Sequence, residues 1–209
     1  MKILIADDHS LIRKGLKHIL LEEYPSAKIE ETADAEGVIK KMMTGGWNLV
    51  VCDLNMPGRS GLDVVQFMKQ NFPEIPVLLL SMYPEEQYAI RALKTGAAGY
   101  LSKDTAPEEL VKAVRTILMG RKYISLSTAE KMADGLLEES NGKPPHELLS
   151  HREFEVFQLL SSGQSVSDIA KKISLSITTV STHRSKILAK MGMKSNAGLI
   201  RYALENKLI

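Results

Sequence analysis

The sequence predicts an α/β fold, a five-stranded parallel doubly wound domain over residues 1–121, followed after a linker by a small all-α helix-turn-helix domain over 149–209. Three observations carry that reading. Short apolar runs alternate with longer amphipathic ones through the first 121 residues, as repeated β-α units require. Beyond residue 149 the apolar spacing is helical throughout. Between the two lies Glu138-Glu139-Ser140-Asn141-Gly142-Lys143-Pro144-Pro145, polar and rich in turn formers, which reads as an interdomain linker. At 209 residues the chain exceeds the roughly 150 of one typical domain, so two unequal domains fit its length.

The elements follow in order. Strands are expected at Lys2 to Ala6, Lys28 to Ala33, Leu49 to Asp53, Val77 to Ser81 and Gly99 to Ser102, with helices between them and after the last. Leu11, Leu16, Ile19 and Leu20 mark the buried face of the first helix, and Leu62, Val65, Phe67 and Met68 that of the third. Pro25, Pro73, Gly45-Gly46 and Gly96 punctuate helix ends, while Pro107 before Glu108-Glu109 suits a first helical turn. Trp47 reads as an apolar plug before the third strand, and Cys52 as a core residue. Residues 122–148 form the linker segment, with a short helix expected over Thr128 to Leu137. Four short helices then bury Phe154, Phe157 and Leu160, Ile169 and Ile173, Val180, Ile187 and Met191, and finally Leu199, Ala203 and Leu204.

Charge divides the chain as the elements do. Residues 150–209 hold 9 basic and 4 acidic residues, and the remainder 18 and 21. A basic tail beside an acidic body suits contact with a polyanion. A single cysteine excludes a disulfide framework and points to a reducing cytoplasm. Met1-Lys2 leads straight into an apolar strand, so no targeting segment is expected, and no run approaches the ~20 apolar residues of a membrane span. The 5 histidines have no metal-site spacing, and no nucleotide-binding glycine loop occurs.

The chemistry concentrates at strand ends. Asp7-Asp8 follows Ile3-Leu4-Ile5, Asp53 follows Leu49-Val50-Val51, and Lys103 follows Ala98-Gly99-Tyr100-Leu101, at the expected ends of three successive strands. The carboxyl edge of an open α/β sheet would gather them into one pocket. Carboxylates so placed repel one another and call for a divalent cation and a positive neighbour. The residue types suit phosphoryl transfer to a carboxylate: Asp53 as nucleophile, Asp8 with Asp7 holding Mg²⁺, Lys103 pairing with the phosphoryl group, and Ser81 offering a hydroxyl. A phosphohydrolase using an aspartyl nucleophile needs a second Asp two residues on as general acid; Asn55 stands there and cannot serve. His9 suits a loop or capping role.

Asp7-Asp8, Asp53 within Asp53-Leu54-Asn55-Met56-Pro57-Gly58, Ser81, Tyr100 and Lys103 resemble the receiver domain of two-component response regulators over residues 1–121. The resemblance implies that Asp53 is the phosphorylation site. It further implies that Asp7, Asp8, Asp53 and the Asn55 backbone carbonyl serve the metal, and that Ser81 and Tyr100 form a switch pair beside Lys103.

The segment from Gly163 to Ile187 reads as helix, tight turn, helix. Burial of Val180, Ile187 and Met191 on one side turns Thr178, Ser181, Thr182, Ser185 and Ala189 outward, flanked by Arg184, Lys186 and Lys190. Such a face can enter a major groove. Leu149-Ser150-His151-Arg152-Glu153, Gly163, Ile169-Ala170, Thr179-Val180, His183 and Lys190-Met191-Gly192 resemble the output domain of NarL/FixJ (LuxR-type) regulators. Ser181, Thr182 and Ser185 are then the base-facing residues, Thr179, Lys186 and Lys190 the backbone contacts, and His183 a packing or phosphate residue. By the same resemblance the last helix pairs two copies on DNA.

The expectation is a cytoplasmic transcription regulator, not an enzyme, phosphorylated on Asp53 by a sensor histidine kinase with Mg²⁺. It would dimerise on activation and bind paired half-sites in double-stranded DNA, with RNA polymerase as a further partner. A turnover enzyme, a protein-interaction adaptor and a constitutive DNA binder are the rivals.

Overall fold

Strands β1 (Lys2–Ala6), β3 (Leu49–Asp53) and β4 (Val77–Ser81) are apolar almost throughout because each is covered on both faces. The computed structural model describes residues 1–83, 85–126, 128–130, 144–206 and 208–209. In it these strands join β2 (Lys28–Thr32) and β5 (Gly99–Ser102) in one parallel sheet ordered β2-β1-β3-β4-β5. Ile3 stands opposite Leu49, Val51 opposite Leu78, and Leu80 opposite Leu101. The order corrects one expectation: the strands that end in the acids and the lysine are not successive, because β4, carrying Ser81, lies between β3 and β5.

Helices α1 (Ser10–Glu23), α2 (Ala35–Met42), α3 (Gly61–Asn71), α4 (Glu85–Thr95) and α5 (Ala106–Leu118) alternate with the strands. Ile3, Ile5, Leu49, Val51, Leu78, Leu80 and Leu101 meet Leu16 and Leu20 of α1 and Leu110, Val114 and Ile117 of α5 in one core layer. The alternate strand residues Leu4, Val50, Cys52, Leu79 and Tyr100 are also buried and point to the opposite face. Leu11, expected on the buried face of α1, is 80% exposed. It occupies the first turn of the helix, past the end of β1, where no strand lies beneath it.

The β2 edge is guarded by charge. Glu30 pairs with Lys41 at 2.7 Å, and Glu31 with Lys17 at 3.1 Å and Arg13 at 3.5 Å. Burial works upward on the Glu30 carboxyl less than the Lys41 hydrogen bond works downward, so its pKa lies below the usual value. Trp47 plugs the entry to β3 as expected, its Nε1 donating to the Lys41 carbonyl at 2.8 Å. At the other edge, Tyr123 N donates to the Ala98 carbonyl at 2.9 Å and Tyr123 bridges Gly99.

The chain divides into two compact units, Met1–Gly135 and Leu136–Ile209. Residues 122–126, placed by the sequence reading in the linker, include Tyr123, a member of the first unit's core layer. Most of the helix expected over 128–137, and the polar run 138–143, lie outside the described residues.

In the second unit a 3₁₀ turn (Pro145–Leu148) precedes α6 (His151–Ser161), α7 (Val166–Lys172), α8 (Ile177–Lys190) and α9 (Asn196–Glu205). Each helix begins at a serine cap: Ser150, Ser165, Ser176 and Ser195 accept from the backbone N–H three residues on. Each such cap contributes about 1 kcal/mol. The tight turn between α7 and α8 passes through Ser174 at φ 53°, a left-handed conformation that carries the chain around so that Leu175 N bonds the Ala170 carbonyl. Phe154, Phe157, Leu160, Ile169, Val180, Ile187, Leu199 and Ala203 form the core of the unit. Leu204, expected among them, is 61% exposed, because Leu199 and Ala203 already define the inward face and the next residue is rotated off it.

Candidate functional sites

Three neighbouring strand ends and one lysine build the acid pocket. Asp7 continues β1, its N–H donating to the Thr32 carbonyl at 3.2 Å and its own carbonyl accepting from Arg13 at 2.6 Å. Asp53 closes β3, and the next residue is fixed by a bond from Leu54 N to the Leu80 carbonyl at 2.8 Å. Gly61 lets α3 start against that strand end, since a Cβ there would lie 2.3 Å from the Asp53 carbonyl oxygen. Lys103 N bonds the Ser81 carbonyl at 2.8 Å, which anchors the lysine beside β4.

Lys103 Nζ reaches Asp7 Oδ2 at 2.7 Å and Asp53 Oδ2 at 2.9 Å. Asp7 and Asp53 are 1% and 2% exposed, and the Asp8 side chain is 31% exposed. Burial pushes the Asp53 carboxyl up to about 6, with Lys103 opposing that push and Asp7 adding to it. For Lys103 itself burial acts downward, but the two carboxylates prevail and its pKa is raised. Cys52 is buried as expected, and burial first, then the Asp53 charge, raises its thiol pKa.

His9 lies in the loop, one of its two expected roles, and makes no side-chain cap. It holds the N-cap position of α1, and its Nδ1 sits 2.7 Å from Asp8 Oδ1 and 3.2 Å from Asp7 Oδ1. Ligand atoms of Asp7, Asp8, His9 and Asp53 all lie within 4.8 Å of one another. Asp7 Oδ2 meets the Lys103 ammonium at 2.7 Å, finds no other donor among the described residues and keeps lone-pair capacity in a buried place. Three carboxylates with an under-satisfied buried oxygen fit a hard divalent cation.

Ser81 and Tyr100 are each 1% exposed. Besides the direct hydrogen bond between their side chains, both are tied to a residue that no sequence pattern singles out. Tyr83 N donates to Ser81 Oγ at 3.1 Å, and the Tyr83 carbonyl accepts from the Tyr100 hydroxyl at 3.0 Å. Asn55 is exposed; its backbone N–H serves the Asp53 carboxylate and its side chain donates to Tyr83 Oη at 3.4 Å. Tyr83 also stacks on Tyr88 of α4 with ring centroids 4.9 Å apart. Burial raises the Tyr100 pKa, so the hydroxyl remains a donor.

On α8, Thr178, Thr179, Ser181, Thr182, Ser185, Lys186, Ala189 and Lys190 are all exposed, as expected for an outward face. Thr182 and Ser185 hydroxyls bond back to the carbonyls of Thr178 and Ser181 at 3.0 and 3.1 Å, leaving their lone pairs outward. Thr179 Oγ1 shares a 2.7 Å bond with the Ser176 cap. His183 is half-buried, its Nδ1 unpartnered among the described residues, and burial lowers its pKa. Lys190 Nζ lies 2.6 Å from Glu153 Oε2, and Arg184 Nε donates to Asn196 Oδ1 at 2.7 Å.

A lysine-bridged acid pocket on a five-stranded sheet is followed by a unit carrying a helix-turn-helix, and both halves match known families. Residues 3–115 match the response regulator receiver domain, and residues 147–203 match the bacterial regulatory proteins of the luxR family. The chain belongs to the response regulators with a LuxR-type DNA-binding domain, a family of transcription regulators rather than enzymes. It is 34% identical to the oxygen regulatory protein NreC of Staphylococcus epidermidis over 216 residues, covering 100% of this chain and 99% of the relative. Among solved structures it resembles RcsB from Salmonella enterica serovar Typhimurium bound to promoter rprA in the presence of phosphomimetic BeF3-, at 27% identity and TM-score 0.64, covering 97% and 98% of the two chains. A structure of two RcsB dimers bound to two parallel DNAs matches at 28% identity and TM-score 0.59, over 97% of each chain. Among the described residues no helix is long and apolar enough to cross a membrane.

Proposed function

We propose that this regulator is switched in the cytoplasm by phosphorylation of Asp53, with a sensor histidine kinase as donor, and that the phosphorylated form dimerises and binds paired half-sites at a promoter. The observation that carries the reading is Lys103 held between two buried carboxylates, 2.7 Å from Asp7 and 2.9 Å from Asp53, with the Ser81 and Tyr100 hydroxyls on the neighbouring strands. The functional modules are residues 1–121, completed by the packed segment around Tyr123, and 149–209.

Asp7, Asp8, Asp53 and the Asn55 carbonyl would hold Mg²⁺. When bound, the ion offsets the charge that three carboxylates and a phosphoryl group bring together. An Asp53 oxygen attacks phosphorus, the donor's bond to phosphorus breaks, and the leaving group takes its electron pair and a proton from water. Lys103 holds the other carboxylate oxygen and then pairs with the phosphoryl charge. With its pKa near 6, Asp53 is mostly the nucleophilic carboxylate at neutral pH.

The new phosphoryl oxygens draw the Ser81 hydroxyl off Tyr83 N and so loosen the loop that Tyr83 links to α4. On α8, Ser181, Thr182 and Ser185 face the bases, and Thr179 and Lys186 the backbone; Lys190, expected to join them, is already paired to Glu153. RNA polymerase is the partner through which promoter binding would act.

The rival reading is a constitutive DNA binder, in which Tyr100 stays buried whether or not Asp53 is phosphorylated. The deciding experiment is intact mass after incubation with Mg²⁺ and acetyl phosphate. One added phosphoryl group, absent from Asp53→Asn, is expected. No gain from several donors, together with a DNA footprint unchanged by Asp53→Asn, establishes the constitutive binder instead.

A further inference from the structure

Three cations flank the outward face of α8, and the structure divides them. Lys186 is exposed and makes no ion pair among the described residues. Lys190 ends the helix with its ammonium 2.6 Å from Glu153 Oε2, on a carboxylate whose side chain is 5% exposed. The same oxygen accepts from Ser150 N at 2.7 Å, closing the cap of α6. Arg184, on the same helix, is bound through Nε to Asn196 in the first turn of α9 at 2.7 Å. Each of these two cations therefore ties α8 to a different supporting helix.

We infer that Lys190 and Arg184 set the seating of α8 on its domain and do not neutralise DNA phosphates, a task left on this helix to Lys186. The inference rests on α8 being the DNA-facing helix. A lysine that swung from Glu153 to a phosphate would leave a buried carboxylate without its cation, and that penalty exceeds what one phosphate contact in a wet groove returns. Burial works upward on the Glu153 carboxyl, yet Lys190 and the Ser150 N–H bring its pKa below the usual value, so the carboxylate is charged whenever the protein binds DNA at neutral pH. Arg184 has a neutral amide for a partner, but that amide is the first residue of α9, so releasing it unties two helices at once. Both residues act through the placement of Ser181, Thr182 and Ser185 and are positioning residues.

Salt dependence separates the two roles, because each phosphate neutralised adds about 0.9 to the slope of log K against log salt concentration. The test uses the full chain and a duplex that this protein selects from a random-sequence library. Lys186→Gln is expected to reduce the slope by about one. Lys190→Gln and Arg184→Gln are expected to keep the wild-type slope while lowering affinity equally at every salt concentration, and Lys190→Arg to recover that affinity. Should Lys190→Gln fold poorly, Glu153→Gln/Lys190→Gln gives the same reading, since glutamine keeps the cap on Ser150 and no buried charge is stranded. A slope reduced by about one in Lys190→Gln or the double variant overturns the assignment of Lys190 and leaves α8 as the DNA-facing helix, and the same result in Arg184→Gln overturns that of Arg184. A slope unchanged in Lys186→Gln as well overturns the DNA-facing reading of α8 itself.

Discussion

At the residue scale, a single ammonium stands between two buried carboxylates. Removing Lys103 leaves Asp7 and Asp53 facing each other with almost no water around them. Stranding a buried charge in this way costs about 3–5 kcal/mol. Lys103→Ala should therefore unfold at markedly lower urea in the absence of divalent ions, and Mg²⁺ should restore more stability to the variant than it gives the wild type. Equal Mg²⁺ effects in the two denaturation series would contradict the pocket geometry. Glu153 gives a prediction that depends on pH. Its folded pKa lies below the ordinary carboxylate value, so its pairing stabilises the protein above that value and is lost as pH falls through the folded one. The melting temperature of wild type should drop more steeply than that of Glu153→Gln as pH is lowered from 7 toward 3. At this scale the sequence revealed residue types but not partners: Asp7, Asp53 and Lys103 were legible because acids and a lysine at strand ends are unusual. Tyr83 was not, because nothing in a Met-Tyr-Pro stretch shows that its backbone joins two hydroxyls from different strands.

At the element scale, what fixes the pocket is how helices start and how loops are tethered. Gly61 begins α3 where a methyl group would press on the Asp53 carbonyl, Leu54 Cα and Leu79, the first at 2.3 Å. Gly61→Ala must push the strand end or the helix aside, at about 1–3 kcal/mol, and should slow phosphorylation by acetyl phosphate as well as lower the urea midpoint. A wild-type phosphorylation rate would show that the strand end is not held by this contact. The segment after α5 is tethered to the start of α4: Thr128 Oγ1 donates to Glu85 at 3.1 Å and receives Ser125 Oγ at 3.0 Å, while Ser125 also bonds Glu85. Thr128→Val removes Thr128's two side-chain hydrogen bonds from a place 1% exposed, a loss of about 1 kcal/mol or more. Faster hydrogen exchange at Ala129 N–H, which bonds the Ser125 carbonyl, is the expected sign. Helix faces were mostly legible from apolar spacing; Leu11 and Leu204 were not, because periodicity does not reveal where the supporting surface stops.

At the scale of the whole molecule, the proposed switch requires that a phosphoryl group on Asp53 alter how the second unit binds DNA. Moving a two-state equilibrium from 1:99 to 99:1 takes about 5.5 kcal/mol, so a partial response and some DNA binding without phosphate are expected. Under that proposal dimerisation would amplify a modest bias, because the second half-site contact becomes intramolecular. Phosphorylated protein should therefore protect two half-sites about 10 base pairs apart, centre to centre, and do so at lower concentration than Asp53→Asn. Protection of a single half-site at equal concentration by both forms would remove dimerisation from the mechanism.

The sequence by itself determined the class of fold and the residue types that meet in the pocket. Apolar runs and helical spacing are local properties, and a strand end places its next residue at the sheet edge whatever the rest of the chain does. Tertiary structure alone decided the strand order that sets Ser81 between Asp53 and Lys103, the linkage through Tyr83, and the division of cations on α8. Those depend on pairs such as Glu153 and Lys190, which lie far apart along the chain and meet only when α6 and α8 pack.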